Sequence, residues 1–167
     1  MSARTRWENG SPAAPSGVTD SQKFCAHYSR PEIELLRAPT RAALISIRDP
    51  GSSRPAYEVG QWPDLLELQF HDITSEEPMH EAWWESWAKE GYLVPCRENA
   101  VSICQFVLQH WAKSIIVHCE MGLSRSAAVC EVLVGLGWAY QSTRSEGRSR
   151  ANRRLVQLLQ REFELAR

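Results

Sequence analysis

An α/β fold with a mainly parallel central sheet flanked by helices is predicted by three observations. Residues 42–47, Ala-Ala-Leu-Ile-Ser-Ile, form an almost unbroken apolar run of strand length, the pattern of a strand buried on both faces. Comparable short runs at 65–70 and 115–117 alternate with stretches of helical periodicity at 97–111 and 152–165. Parallel neighbours need long crossovers, and such alternation supplies them.

Each element follows from its residues in turn. Residues 1–20 are polar and rich in Ser, Pro and Ala, and read as a disordered N-terminal arm ahead of one catalytic-sized domain over 21–167. Lys23 to His27 is a short first strand, and Pro31 to Arg37 a short helix with proline in its first turn. Asp49-Pro50-Gly51-Ser52-Ser53 is strong turn chemistry that ends the 42–47 strand. Leu65 to Phe70 is the third strand, entered through Pro63-Asp64.

Pro78 to Gly91 reads as a helix closed by its glycine. Arg97 to Trp111 is longer, with Val101, Cys104, Val107, Leu108 and Trp111 on one face. Ile115 to Val117 is a buried strand, a short turn containing Gly122 follows, and Ser124 to Gly137 is an apolar helix. Gln141 to Arg150 is polar and loop-like. Asn152 to Leu165 closes the domain as an amphipathic helix that buries Leu155, Leu158, Leu159 and Phe163.

Composition sets outer bounds. Hydrophobic residues at 43% and charged residues at 23% suit an ordinary water-soluble domain. A net charge of −1 provides no global attraction for nucleic acid or an anionic membrane. There is no 18-residue apolar run and no secretory signal pattern, so the expected setting is cytoplasmic and the expected state monomeric. The five cysteines show neither disulfide nor metal spacing, and Cys104 and Cys130 read as core residues. No cofactor and no metal are expected.

The chemistry concentrates in Ile-Ile-Val-His-Cys-Glu-Met-Gly-Leu-Ser-Arg-Ser, residues 115–126. A strand–loop–helix points the free N–H groups and positive dipole end of the helix at the loop. Successive N–H groups in a tight turn make a concave anion nest. Arg125 adds a planar fork of donors able to grip two phosphate oxygens. A cysteine at the floor of that field, Cys119, is expected to ionise easily and serve as a nucleophile.

His-Cys-x5-Arg-Ser with a central glycine resembles the phosphate-binding loop of the cysteine-dependent protein tyrosine phosphatases, and Glu120 with Ser-Arg-Ser resembles their small dual-specificity branch. The resemblance is specific in the loop and extends over about residues 22–165. It implies Cys119 as nucleophile and Arg125 as clamp, with Ser126 hydrogen-bonded to Cys119 to ease breakdown of a thiophosphate. It also implies that Glu120, Met121, Gly122, Leu123 and Ser124 line the loop with backbone donors, and that His118 supports it from behind. The implied substrate is a phosphotyrosine- or phosphoserine/threonine-containing protein. Related loops also serve RNA 5′-triphosphatases and phosphoinositide phosphatases, although no lysine between Cys119 and Arg125 matches a polyanionic headgroup. A phospho-binding module without turnover and a rhodanese-like sulfur transferase are the readings from other classes.

Phosphoryl transfer to sulfur needs a proton for the leaving oxygen. Trp62-Pro63-Asp64 spells the acid motif of large tyrosine phosphatases, but Asp64 precedes its strand and belongs at the edge of the sheet opposite Cys119. Asp72 follows the same strand and emerges at the correct edge, which makes it the expected general acid. Glu76 and Glu77 are rivals, because Asp72 lies 47 positions before Cys119, a longer interval than the family usually has. Of Trp83, Trp84 and Trp87, two are expected to pack their helix on the sheet, with one bordering the phosphate pocket as the alternative. The Arg-rich segment around Arg148, Arg150, Arg153 and Arg154 reads as a solvated helix face. It keeps RNA phosphate as a disfavoured second partner.

Overall fold

The computed structural model describes residues 22–57, 60–73, 81–141 and 150–166. Ten elements run along the chain: β1 (Phe24–Tyr28), α1 (Arg30–Leu35), β2 (Ala42–Arg48), β3 (Leu65–Gln69) and α2 (Glu81–Lys89), then α3 (Arg97–Gln109), β4 (Ser114–His118), α4 (Arg125–Gly135), β5 (Ala139–Tyr140) and α5 (Arg153–Leu165). The five strands form one sheet in the order β3-β2-β4-β1-β5, and every pairing is parallel. The arm expected over 1–20 and most of the loop expected over 141–150 lie outside the described residues.

Strand alternation divides the core into two layers, one on each face of the sheet. Cys25, Ala43, Ile45, Ile47, Ile115 and Val117 face α3, α4 and α5, together with Ile103, Val107, Leu133, Leu155, Leu159 and Phe163. Ala26, Leu44 and Ile116 face the other way, against Ile33 and Leu36 of the α1 segment and Trp62. The apolar run at 42–47 therefore loses water on both sides, as its composition requires.

β4 is central, paired with β2 on one side and β1 on the other. The crossover between β1 and β2 passes over the place where β4 lies. Open α/β sheets bind ligands outside the strand ends at such a reversal, and Cys119 follows the last residue of β4.

α1 and α3 each end two residues before their expected last residues, Arg37 and Trp111, and three further elements depart from expectation. β5 is a strand where the sequence assigned none, and two residues are too few to show a period. It exists because Phe24 pairs with Ala139 and Cys25 with Tyr140 at the open edge of β1. α4 starts at Arg125 and ends at Gly135, shorter at both ends than the Ser124–Gly137 span. In α2, Trp84 alone of the three tryptophans is buried, beneath the Arg154 guanidinium at 4.9 Å, so two were not needed to dock this helix. Trp83 is 49% exposed and meets Trp87 in a tilted contact at 5.7 Å, and Trp87 meets Tyr92 edge-on at 4.9 Å.

Candidate active site

Residues 119–124 bridge the end of β4 and the start of α4. Gly122 has φ +66°, and a Cβ there would stand 2.4 Å from the Ser29 nitrogen and 2.6 Å from the Tyr28 carbonyl carbon. Only glycine allows the loop to lie this close to the β1–α1 junction. The Cys119 N–H donates to Tyr28 O at 3.3 Å and the Arg30 N–H to Glu120 O at 3.1 Å.

Among the described residues, no backbone N–H from Glu120 to Ser126 has an acceptor. They stand in the turn that follows Cys119 and leads into α4, at a helix N-terminus, where free N–H groups and the helix dipole favour negative charge. Cys119 is 1% exposed and its Sγ lies 3.1 Å from Ser126 Oγ. Ser126 is wholly buried and cannot exchange that partner for water.

Arg125, 2% exposed, reaches across to the strand ends at β2 and β3. Its Nη1 donates to Phe70 O at 2.6 Å and pairs with Asp49 Oδ1 at 2.7 Å. Its Nε is 3.9 Å from Asp72 Oδ2 and has no hydrogen-bond partner among the described residues. A buried guanidinium N–H without an acceptor is costly, and a bound oxyanion would satisfy it.

Asp72 is oriented by two donors on one oxygen. Ser124 Oγ donates to Oδ1 at 2.7 Å and Asn152 Nδ2 at 2.9 Å, which leaves Oδ2 turned toward Arg125. Asp64 stands at the other end of β3, paired with Lys113 Nζ and 3.7 Å from His110 Nδ1. It caps the bottom of the sheet. Glu76 and Glu77 lie outside the described residues.

His118 is fully buried one residue before the cysteine, with Nε2 2.7 Å from Ser46 Oγ. Burial pushes its pKa down to about 4, outweighing the upward pull of the Cys119 backbone, so the ring is neutral at pH 7. Glu120 turns away from the cradle, its Oε1 near the Asp49 N–H at 3.4 Å and Ser52 Oγ at 3.2 Å. Met121 is 65% exposed and stands out from the loop. Thus the Glu120 and Met121 side chains serve different surroundings.

Three participants escaped the sequence reading. Asp49 appeared only as a turn former, yet its Oδ1 pairs with Arg125 Nη1 at 2.7 Å. Asn152 is the N-cap of α5: its Oδ1 accepts from Leu155 N at 3.0 Å while its amide also ties Asp72 and Ile73 O. The cap was readable as a helix start, but nothing local pointed its amide at Asp72. His27, at the end of β1, meets Gly122 O through Nδ1 at 2.8 Å. Among the described residues, no three His, Cys, Asp or Glu side chains are grouped to hold a metal ion, and no helix is long and apolar enough to cross a membrane.

No protein-family model matches the chain, and no curated protein matches it. A solved structure of Tk-PTP in the active form has a TM-score of 0.42 and 15% identity with it, over 87% of this chain and 86% of that one. That likeness is too slight to bear on function.

Proposed function

We propose that the protein is a metal-independent phosphomonoesterase working through a cysteinyl-phosphate, of the small dual-specificity tyrosine phosphatase type. One observation carries this reading. A buried cysteine opens a turn whose backbone N–H groups have no acceptor among the described residues, and the turn ends in a buried arginine whose Nε also lacks a hydrogen-bond acceptor and lies 3.9 Å from the Asp72 carboxylate.

Cys119 Sγ attacks phosphorus as the P–O ester bond breaks, and Asp72 Oδ2 supplies the proton that the departing oxygen needs. The phosphoryl oxygens take the N–H groups of residues 120–125 and the Arg125 fork, which replace water with donors already in place. Ser126 Oγ donates to sulfur as it leaves. Water then attacks the thiophosphate with Asp72 as base, returning thiolate and inorganic phosphate. Phosphorylated proteins or peptides are the proposed substrates. The cradle holds one phosphoryl group and brings no lysine for a second.

Turnover of an aryl phosphate tests the reading. Cys119→Ser is expected to abolish it while inorganic phosphate still binds, since the backbone donors remain. Arg125→Ala should lose binding as well as rate. A Cys119→Ser protein that hydrolyses the ester like the wild type would remove the nucleophile from the mechanism. An unchanged protein that binds phosphate but never turns over would favour the binding-module reading.

A further inference from the structure

Three carbonyls of the loop, alternating along it, are each held from outside. Glu120 O accepts from the Arg30 N–H at 3.1 Å, Gly122 O meets His27 Nδ1 at 2.8 Å, and Ser124 O, already bonded by the Ala128 N–H of α4 at 2.9 Å, accepts from the Asn152 N–H at 3.1 Å. The peptides are trans, and in a planar trans peptide the carbonyl and the following N–H point in opposite directions. Drawing these three carbonyls outward turns the N–H groups of Met121, Leu123 and Arg125 to the loop's inner side. Two of the braces are main-chain donors. The middle one is a side chain, and it comes with a support of its own.

A carbonyl oxygen only accepts, so His27 Nδ1 carries a proton. In the neutral ring, Nε2 is then an acceptor, and Tyr140 OH lies 2.7 Å from it. His27 is 7% exposed, so the chain Tyr140–His27–Gly122 begins at the surface and ends inside the loop. Tyr140 is reached through β5, whose two residues pair with β1 at Phe24 and Cys25. The tilted ring contact, 5.7 Å between centroids, sets the imidazole's plane.

We infer that His27 and Tyr140 are positioning residues for phosphate binding: they hold the Gly122 carbonyl outward so that the Leu123 N–H is presented to the anion. This rests on the phosphate-loop reading above. It gives the short edge strand a role in the site, since Tyr140 reaches the loop through His27.

Side-chain topology supplies a discriminating pair of variants. The amide nitrogen of asparagine is three bonds from Cα, like His Nδ1, whereas that of glutamine is four bonds away, like Nε2. His27→Asn keeps a donor for Gly122 O; His27→Gln keeps only the contact toward Tyr140. In ¹⁵N-labelled protein titrated with inorganic phosphate, the wild-type amides of Met121, Leu123 and Arg125 should all shift. In His27→Gln the Leu123 response should collapse while Met121 and Arg125 still respond, with phosphate affinity and kcat/KM for an aryl phosphate each falling roughly tenfold. His27→Asn should restore both. Tyr140→Phe should weaken phosphate binding by roughly two- to threefold, with a smaller Leu123 shift.

A wild-type Leu123 response in His27→Gln overturns the inference, as does a His27→Asn protein as impaired as His27→Gln. Should His27→Gln fail to fold, Tyr140→Phe decides, and unchanged phosphate affinity there overturns it. Phosphate that moves no loop amide in the unchanged protein overturns the phosphate reading and this inference together. Loss confined to Leu123 leaves both standing.

Discussion

Cys119, Arg125 and Ser126 are 1%, 2% and 0% exposed, while Asp72 and Asp49 on the facing rim keep 32% and 50% of their side chains in solvent. The first group is fixed by the core. β4 delivers the cysteine, α4 the arginine and serine, and the β1–α1 junction carries the loop's outer edge. The second group stands past the ends of β2 and β3 and is oriented by side-chain hydrogen bonds at the surface. The difference separates two tasks. Binding a phosphoryl group needs many donors that do not move, whereas delivering and recovering a proton needs one carboxylate in contact with water.

Under the proposed mechanism, that division would make the rim the place where substrates are told apart by their leaving groups. Asp72→Asn should keep the Ser124 and Asn152 contacts while removing the proton, and should slow esters of poorly acidic alcohols and phenols by about 10²–10⁴-fold. Esters whose leaving group departs as a stable anion should be nearly unaffected. Asp64→Asn should show no such discrimination, because its partners are Lys113 and His110 at the far end of β3. Steady-state rates across a series of aryl and alkyl phosphates measure this. An equal loss for every leaving group in Asp72→Asn would give that residue a structural role and make both sides of the site alike.

How much of this was readable in the sequence depends on the range of the interactions. The strand at 42–48 announced itself because both of its faces are buried. The loop was legible because its cysteine, glycine and arginine lie within seven positions. Asp72 was placed by strand direction, together with the resemblance to the small dual-specificity branch. By contrast, Asn152 meets Asp72 across 80 positions and His27 meets Gly122 across 95, and no local pattern encodes such pairings. Trp84 illustrates a third case. Helical spacing groups Trp83 with Trp87, but which face meets the body of the protein was settled by Arg154 of α5.

The buried side sharpens under acid. His118 is neutral in the folded chain with its pKa held down to about 4, against 6.5 ordinarily. Between those values the unfolded chain binds the extra proton, so stability from this group is complete above about pH 6.5 and is lost as pH falls toward 4. The expected loss between pH 7 and pH 5 is about 2 kcal/mol. Denaturant titrations at the two pH values, for the wild type and for His118→Asn, measure it. The variant should lack that share of the slope; identical slopes would mean that acid acts elsewhere.

On the open side, Asp49 would compete with substrate for the arginine under the proposed mechanism. Asp49→Asn removes a carboxylate 2.7 Å from Arg125 Nη1, and inorganic phosphate should then inhibit severalfold more tightly, roughly 1 kcal/mol for a partly exposed pair. Weaker inhibition would mean that Asp49 instead holds the guanidinium in the binding pose.

The central claim is that phosphorus passes through sulfur. Rapid mixing of the protein with an aryl phosphate, quenched within the first turnovers and digested for mass spectrometry, tests it directly. Phosphoryl mass should appear on the peptide carrying Cys119, and Asp72→Asn should accumulate more of it with an ester whose leaving group needs no proton. Turnover that continues with no phosphoryl group on Cys119 at any time, or with one on another residue, would contradict the account.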